Sequence, residues 1–397
     1  MPNNPKNQFP WKNPLRIAVV TLLVVLGLFQ ASRPMNAAAA EPKARALASE
    51  LVAQLGHEEF AMRERAAAEL IALEADATAA LRVGVESPDR EIRYRSSKLL
   101  ARAAEIDLQR RFERFKNDTD PEQDYGLPGW DAYREVVGDS LVARSIFVSM
   151  HEDEARLLGQ IDDSPARLAD ALANRCDQLR NQAMFERVPI RLGTIATLLF
   201  MATCKEVEVS PLATSVVYMV CGGPGFEDAV RSGPGREVLA TLTERWIARQ
   251  PLQGINSALL LGLSNNLPGT LLRARDVFES PLASSSDRIC ACLCLARFGD
   301  ESDFPTLNAQ LEDANVCAQD RVDGQVIVTE MRDLVLATLV RLAKEEPRDY
   351  GFDRLVTDRR FVFNLQSLGF RDEQSRVVAI ASWREFVRSK AAADTSR

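Results

Sequence analysis

Apolar residues recurring three, four and seven apart, in four stripes one after another, constrain this chain more than any other feature. Leu47, Leu51 and Leu55 form the first stripe, and Ala66, Leu70 and Leu73 the second. Ala77, Leu81 and Val85 form the third, and Ile92, Leu99 and Ala103 the fourth. These spacings put each set on one face of a helix, so residues 44–104 are expected to be four successive helices. Ser87-Pro88 supplies a helix cap and a first-turn proline between the third and fourth. Laying residues 62–70 over 92–100 pairs Met62 with Ile92, Arg63 with Arg93, Arg65 with Arg95 and Leu70 with Leu100. The period is one helical hairpin, which cannot bury its apolar face alone and must stack on a neighbour.

The rest of the chain fits a helical reading. Aromatic residues make up only 7% of its 397 positions, whereas Ala, Leu and Arg are abundant, and these lose little freedom in a helix. Residues 131–250 carry helix openings at Ser164-Pro165 and Ser210-Pro211, with interhelical turns at Cys221-Gly-Gly-Pro-Gly225 and Ser232-Gly-Pro-Gly235. Residues 117–130, polar, acidic and broken by Pro121, Pro128 and two glycines, are expected to be a linker. The repeat pattern returns at 288–311, where Arg288, Ala291 and Leu295 precede a turn at Phe298-Gly299-Asp300 and then Pro305, Leu307 and Leu311. Arg332, Val335 and Leu339 repeat the first three at an offset of 44, and Ile255 and Leu261 match Ile289 and Leu295 at 34.

These stretches resemble HEAT-type repeats, and the chain as a whole is similar to exported bacterial proteins of that armadillo-type kind. The resemblance implies an all-α, HEAT-like solenoid of stacked helical hairpins that binds a protein or peptide partner along its surface. The expected organisation is an N-terminal signal over 1–40, helical repeats over 41–116, the linker over 117–130, and a helical body over 131–397. The offset of 44 is about a dozen residues too long for a hairpin, and the excess falls at Asp313 to Val328. There Asp323-Gly324 is flanked by Val322 and by Val326-Ile327-Val328, the strongest short signal for a β-hairpin. Insertions in repeat proteins often line the binding face, so Asp323 and Gly324 are candidate partner-binding residues.

Lys6, Lys12 and Arg16 precede an apolar run from Ile17 to Phe29, and Ala38-Ala39-Ala40 then precedes Glu41. This is the basic, apolar, small-residue order of a secretory signal, with cleavage expected after Ala40 in an A-x-A site formed by Ala38 and Ala40. The alternative is an uncleaved membrane anchor through Leu15 to Ala31, since spanning takes about 20 apolar residues and snorkelling flanks can extend the run. Residues 1–40 contain four cationic side chains and no acid, so their removal takes the net charge from −7 to −11. An acidic chain lacks the counterion-release driving force for nucleic-acid binding, and no nucleic-acid partner is expected. Asp358 beside Arg359-Arg360 makes that pair read as a solvated face.

The search for chemistry returns little. His57, in a turn, and His151, flanked by Glu152 and Asp153, are both expected at the surface. Nucleophilic triads and zinc sites draw on histidine, and no hydrolase, zincin or dinucleotide motif occurs. Asp118, Asp120 and Asp124 invite a calcium loop, but Gln123 and Gly129 stand where Gly and Glu are needed. The Cys290-x-Cys292-x-Cys294 run points its members to different faces of a helix and is expected to serve as small core hydrophobes. Trp246 and Trp383 are expected in the core, and Trp130 either packs as the first core residue of its helix or anchors a partner. No cofactor or metal is expected. The function this supports is a non-catalytic scaffold outside the cytoplasm. The alternatives are an enzyme or cofactor-attachment lyase using acids or cysteines, and a membrane-tethered envelope element.

Overall fold

The computed structural model describes residues 37–117, 120, 123, 125–185, 189–204 and 207–395. It is all-α apart from two small antiparallel sheets, with seventeen α-helices among the described residues. The chain divides into two compact units, Met1–Arg114 and Phe115–Arg397. No described helix is long and apolar enough to cross a membrane. Residues 1–36, which carry the basic and apolar parts of the expected signal, lie outside the described residues; Ala38, Ala40 and Glu41 fall near the start of α1 (Ala37–Gln54).

In the first unit α1 is followed by α2 (Phe60–Ala72), α3 (Ala75–Val85) and α4 (Arg90–Asn117). Ala48, Leu51, Val52, Leu55, Ala66, Leu70, Ala77 and Leu81 form its core. The 30-residue repeat holds down to individual hydrogen bonds. Arg63 Nη1 donates to the carbonyls of His57 and Glu58 at 2.7 and 2.8 Å, and Arg93 Nη1 donates to those of Ser87 and Pro88, both at 2.7 Å. The Glu59 N–H donates to His57 Nδ1, as the Asp89 N–H does to Ser87 Oγ. Each arginine thus ties the first turn of its helix to the preceding loop, satisfying carbonyls that the turn leaves open.

Three expectations shift here. Leu47 is exposed, and Ala48 and Val52 take its place, because the buried face of α1 is rotated by one residue. Leu99 and Ala103 are only half-buried. The α4 helix begins at Arg90 rather than at Pro88, because Asp89 Oδ1 accepts from the N–H groups of Glu91 and Ile92 and makes the better cap.

The second unit holds α5 (Trp130–Val137), α6 (Leu141–Leu158), α7 (Pro165–Phe185), α8 (Leu192–Thr203), α9 (Pro211–Cys221), α10 (Pro224–Ser232) and α11 (Arg236–Arg249). After these come α12 (Asn256–Ser264), α13 (Thr270–Glu279), α14 (Ser285–Phe298), α15 (Phe304–Asn308), α16 (Met331–Ala343) and α17 (Glu373–Thr395). The α8, α14 and α16 helices are apolar nearly all round and form the centre, with α6 and α11 packed on α8 and with α13 and α16 packed on α14. That burial on every side explains why Cys290, Cys292 and Cys294 are all buried although they point in different directions. Trp246 and Trp383 are core residues as expected, and Trp383 Nε1–H donates to Asn308 Oδ1 at 2.7 Å.

The α14 and α16 helices open alike. Ser284 and Glu330 are their caps, and Asp287 and Asp333 return hydrogen bonds to the cap N–H groups. The capping boxes therefore align at an offset of 46, not 44; in two helices buried all round, the apolar pattern cannot fix the register. Asp287 is fully buried and also accepts from the N–H groups of Gly254 and Asn256, which lead into α12. Burial alone would raise its carboxyl, but these bonds and those from Ser284 outweigh it and hold the group below its ordinary value.

The insertion is a β-hairpin, β1 (Val316–Val322) pairing with β2 (Gln325–Glu330) across Asp323-Gly324. Both turn residues have positive φ, 51° and 81°, as a two-residue turn matching strand twist requires. One side of the hairpin packs down: Ile327 and Thr329 are buried, and Thr329 Oγ1 donates to the Leu365 carbonyl at 2.8 Å. The sequence showed no sign of the second sheet, β3 (Thr357–Asp358) with β4 (Val362–Phe363). The expected linker is also partly folded. Leu127 is buried, although Asp118 and Asp124 lie outside the described residues.

Candidate functional site

In the second unit a groove of about 740 Å³ runs between α6 and α7. Its floor is built by a break in α6. Glu154 leaves helical geometry at φ −138° and ψ 37°, so the carboxylate turns inward instead of following the helix surface. It is buried and accepts from Arg175 Nε at 3.0 and 2.8 Å, Arg175 Nη2 at 2.7 Å and Thr194 Oγ1 at 2.9 Å. One carboxylate thereby joins α6, α7 and α8. The approach of α8 depends on Gly193, where a Cβ would meet the Ser149 carbonyl at 2.2 Å and Asp153 Oδ2 at 2.5 Å. Asp153 is nearly buried in turn and pairs with Arg191 at 2.7 Å.

His151, expected at the surface, is buried. Its Nε2 lies 3.1 Å from the Pro128 carbonyl, an acceptor only, so this nitrogen carries the proton. The ring meets Phe147 edge-on at 4.8 Å. The adjacent acids misled the sequence reading, because Asp153 and Glu154 turn inward with it. Trp130 is half-buried in the same aromatic cluster, 4.6 Å from Phe115 and 5.2 Å from Phe147, with the Arg144 guanidinium 5.5 Å from its ring. Trp130 is thus engaged in packing, and Asp323 and Gly324 are exposed at the hairpin tip. His57 sits exposed in its turn, as expected.

Above the fixed floor, the groove wall carries Glu152, Arg156, Asp163, Arg167 and Asp170, all exposed and without ion-pair partners among the described residues. Arg167, Asp170, Asn174 and Gln178 follow one face of α7 at helical spacing. Three donor groups make four hydrogen bonds to the buried Glu154 carboxylate, so it holds structure and is not presented to a ligand.

The cysteines are free thiols. Burial pushes Cys176, Cys290, Cys292 and Cys317 up to about 12, Cys204 to about 11, and Cys221 and Cys294 higher still. At neutral pH they are thiols rather than nucleophilic thiolates. Among the described residues no group of three His, Cys, Asp or Glu is placed to hold a metal ion. Comparison with models of known protein families, with curated proteins and with solved structures finds no match to this chain.

Proposed function

We propose that this chain is a non-catalytic scaffold outside the cytoplasm, and that it binds a polar protein or peptide segment of mixed charge in the α6–α7 groove. The observation that carries this is the pairing of a rigid floor with a row of unsatisfied charges. Glu154–Arg175–Thr194 fixes three helices, so a ligand need not order them on binding, while Glu152, Arg156, Asp163, Arg167 and Asp170 keep their charges available. The exposed α7 face from Arg167 to Gln178 rises about 16 Å, enough for roughly five residues of extended peptide. The HEAT-like repeat pattern agrees with partner binding, and the basic, apolar and small-residue order before Glu41 supports the address.

Peptides selected on the purified chain from a random display library test the reading. Reversing both exposed arginines, Arg156→Glu with Arg167→Glu, should weaken the selected peptides about tenfold or more. Unchanged affinity in this variant would remove the groove from the proposal.

A further inference from the structure

Four of the five open charges in the α6–α7 groove stand in an order that the helices themselves set. The turn 159–164 joins α6 to α7, and the Glu154–Arg175 pair holds the two together, so distance from that turn orders the residues on each wall. On α6 Arg156 lies nearer the turn and Glu152 farther from it, and on α7 Arg167 lies nearer and Asp170 farther. Both walls therefore place a guanidinium toward the turn and a carboxylate away from it. Asp163 stands in the turn itself, beyond both arginines. Past Asp170 on α7, the exposed lining residues Asn174 and Gln178 carry no charge.

Neither wall neutralises itself. Glu152 and Arg156 are four residues apart, and Arg167 and Asp170 three, which are the spacings at which helix side chains pair. Neither pair closes among the described residues. On α6 the break at Glu154 falls between the two, so they no longer stand as regular helical neighbours. On α7 the arginine comes first, the weaker orientation for such a pair because it opposes the helix dipole. At helical rise, acid and base are separated along the groove by about 6 Å on α6 and about 4.5 Å on α7.

We infer, on the groove reading above, that the bound segment is extended and carries an acid and a base two residues apart. The acid faces Arg156 and Arg167, and the base faces Glu152 and Asp170. In an extended chain, residues two apart share a face and stand about 7 Å from each other, close to the separation of the groove charges, whereas adjacent residues point to opposite faces. Two acids at this spacing set one of them against Glu152 and Asp170, and two bases set one against the arginines, so like charges disfavour both. A helical segment fits less well, because helices dock through apolar anchors and Ala155 is the one exposed apolar residue in the groove lining.

Four amidated pentapeptides bearing an uncharged N-terminal fluorophore are titrated with the purified chain at low ionic strength and read by anisotropy. They are Ser-Glu-Ser-Lys-Ser, its isomer Ser-Glu-Lys-Ser-Ser, and the like-charged Ser-Glu-Ser-Glu-Ser and Ser-Lys-Ser-Lys-Ser. The first should bind about threefold to fivefold tighter than each of the others, the effect of one exposed ion pair gained or lost, and the margin should vanish at about 1 M salt. Glu152→Gln with Asp170→Gln should bring the acidic peptide level with the first, and Arg156→Gln with Arg167→Gln should do the same for the basic peptide. All four positions are exposed, so neither variant disturbs the core. Equal binding of the two mixed isomers, equal binding of all four peptides, or binding of none overturns the inference. The groove reading is judged separately. Library-selected peptides that lose affinity in Arg156→Glu with Arg167→Glu, yet lack the spaced acid and base, would keep the groove as the site and overturn the spacing alone.

Discussion

Replacing Arg376 with Met should lower the stability of the second unit by about 3–5 kcal/mol, the usual cost of leaving one partner of a buried ion pair alone. Arg376 on α17 is almost wholly buried, and its Nε and Nη2 donate to the two carboxylate oxygens of Asp333 at 2.7 and 3.2 Å. It also donates to Glu373 Oε2 at 2.5 Å and to the Val328 carbonyl of the hairpin at 3.3 Å. One guanidinium therefore ties α17, α16 and β2 together. Without it, Asp333, which has no exposed surface, keeps only the Glu330 N–H at 2.9 Å. Urea unfolding followed by the fluorescence of Trp246 and Trp383 measures the loss. Adding Asp333→Leu to Arg376→Met removes the stranded charge and should recover much of the stability. A single variant as stable as the parent would show that water reaches Asp333 and that the junction is not dry.

What the sequence made legible follows from which interactions are local. The first unit repeats at 30 residues because Arg63 and Arg93 each serve a loop only five and six residues away, and such a motif survives as a readable pattern. The hairpin at Asp323-Gly324 was legible for the same reason, since positive φ at two adjacent positions selects its residues directly. The candidate site was not legible. Glu154 reaches Arg175 and Thr194, 21 and 40 residues on, and nothing at position 154 marks the local break in α6 that turns it inward. His151 was misplaced along with it. Arg359 and Arg360 are exposed, as a solvated face requires, but their carbonyls accept from Arg297, 62 and 63 residues earlier, a contact that spacing along the chain does not convey. The register between α14 and α16 failed differently: both are apolar on all sides, so only their capping boxes, which hinge on two polar residues each, could set it.

Leu70→Asp should cost the first unit about 4 kcal/mol or more, while Leu99→Asp should cost clearly less, because burying a lone carboxylate is penalised according to how fully it loses water. The apolar stripes alone treat the two leucines as equally internal, but the structure separates them. Leu70 is 1% exposed, with Leu55, Ala66 and Leu81 in the same core, whereas Leu99 is half-buried at its margin and lets a carboxylate reach solvent. The two variants should also differ in their response to acid. A carboxyl at position 70 has its folded-state pKa raised above the unfolded value by burial, so the folded state binds the proton more tightly. Its destabilisation is then greatest at neutral pH and shrinks as pH falls toward the unfolded carboxyl pKa of about 4. Position 99, closer to water, should show little of this recovery. Hydrogen exchange across α1 to α4, read by mass spectrometry at pH 7 and again near pH 5, measures the first unit separately from the second. Equal loss of protection in both variants would mean that α4 is sealed against the core along its length. Parent-like protection in Leu70→Asp would mean that the buried face of α2 has been assigned to the wrong side.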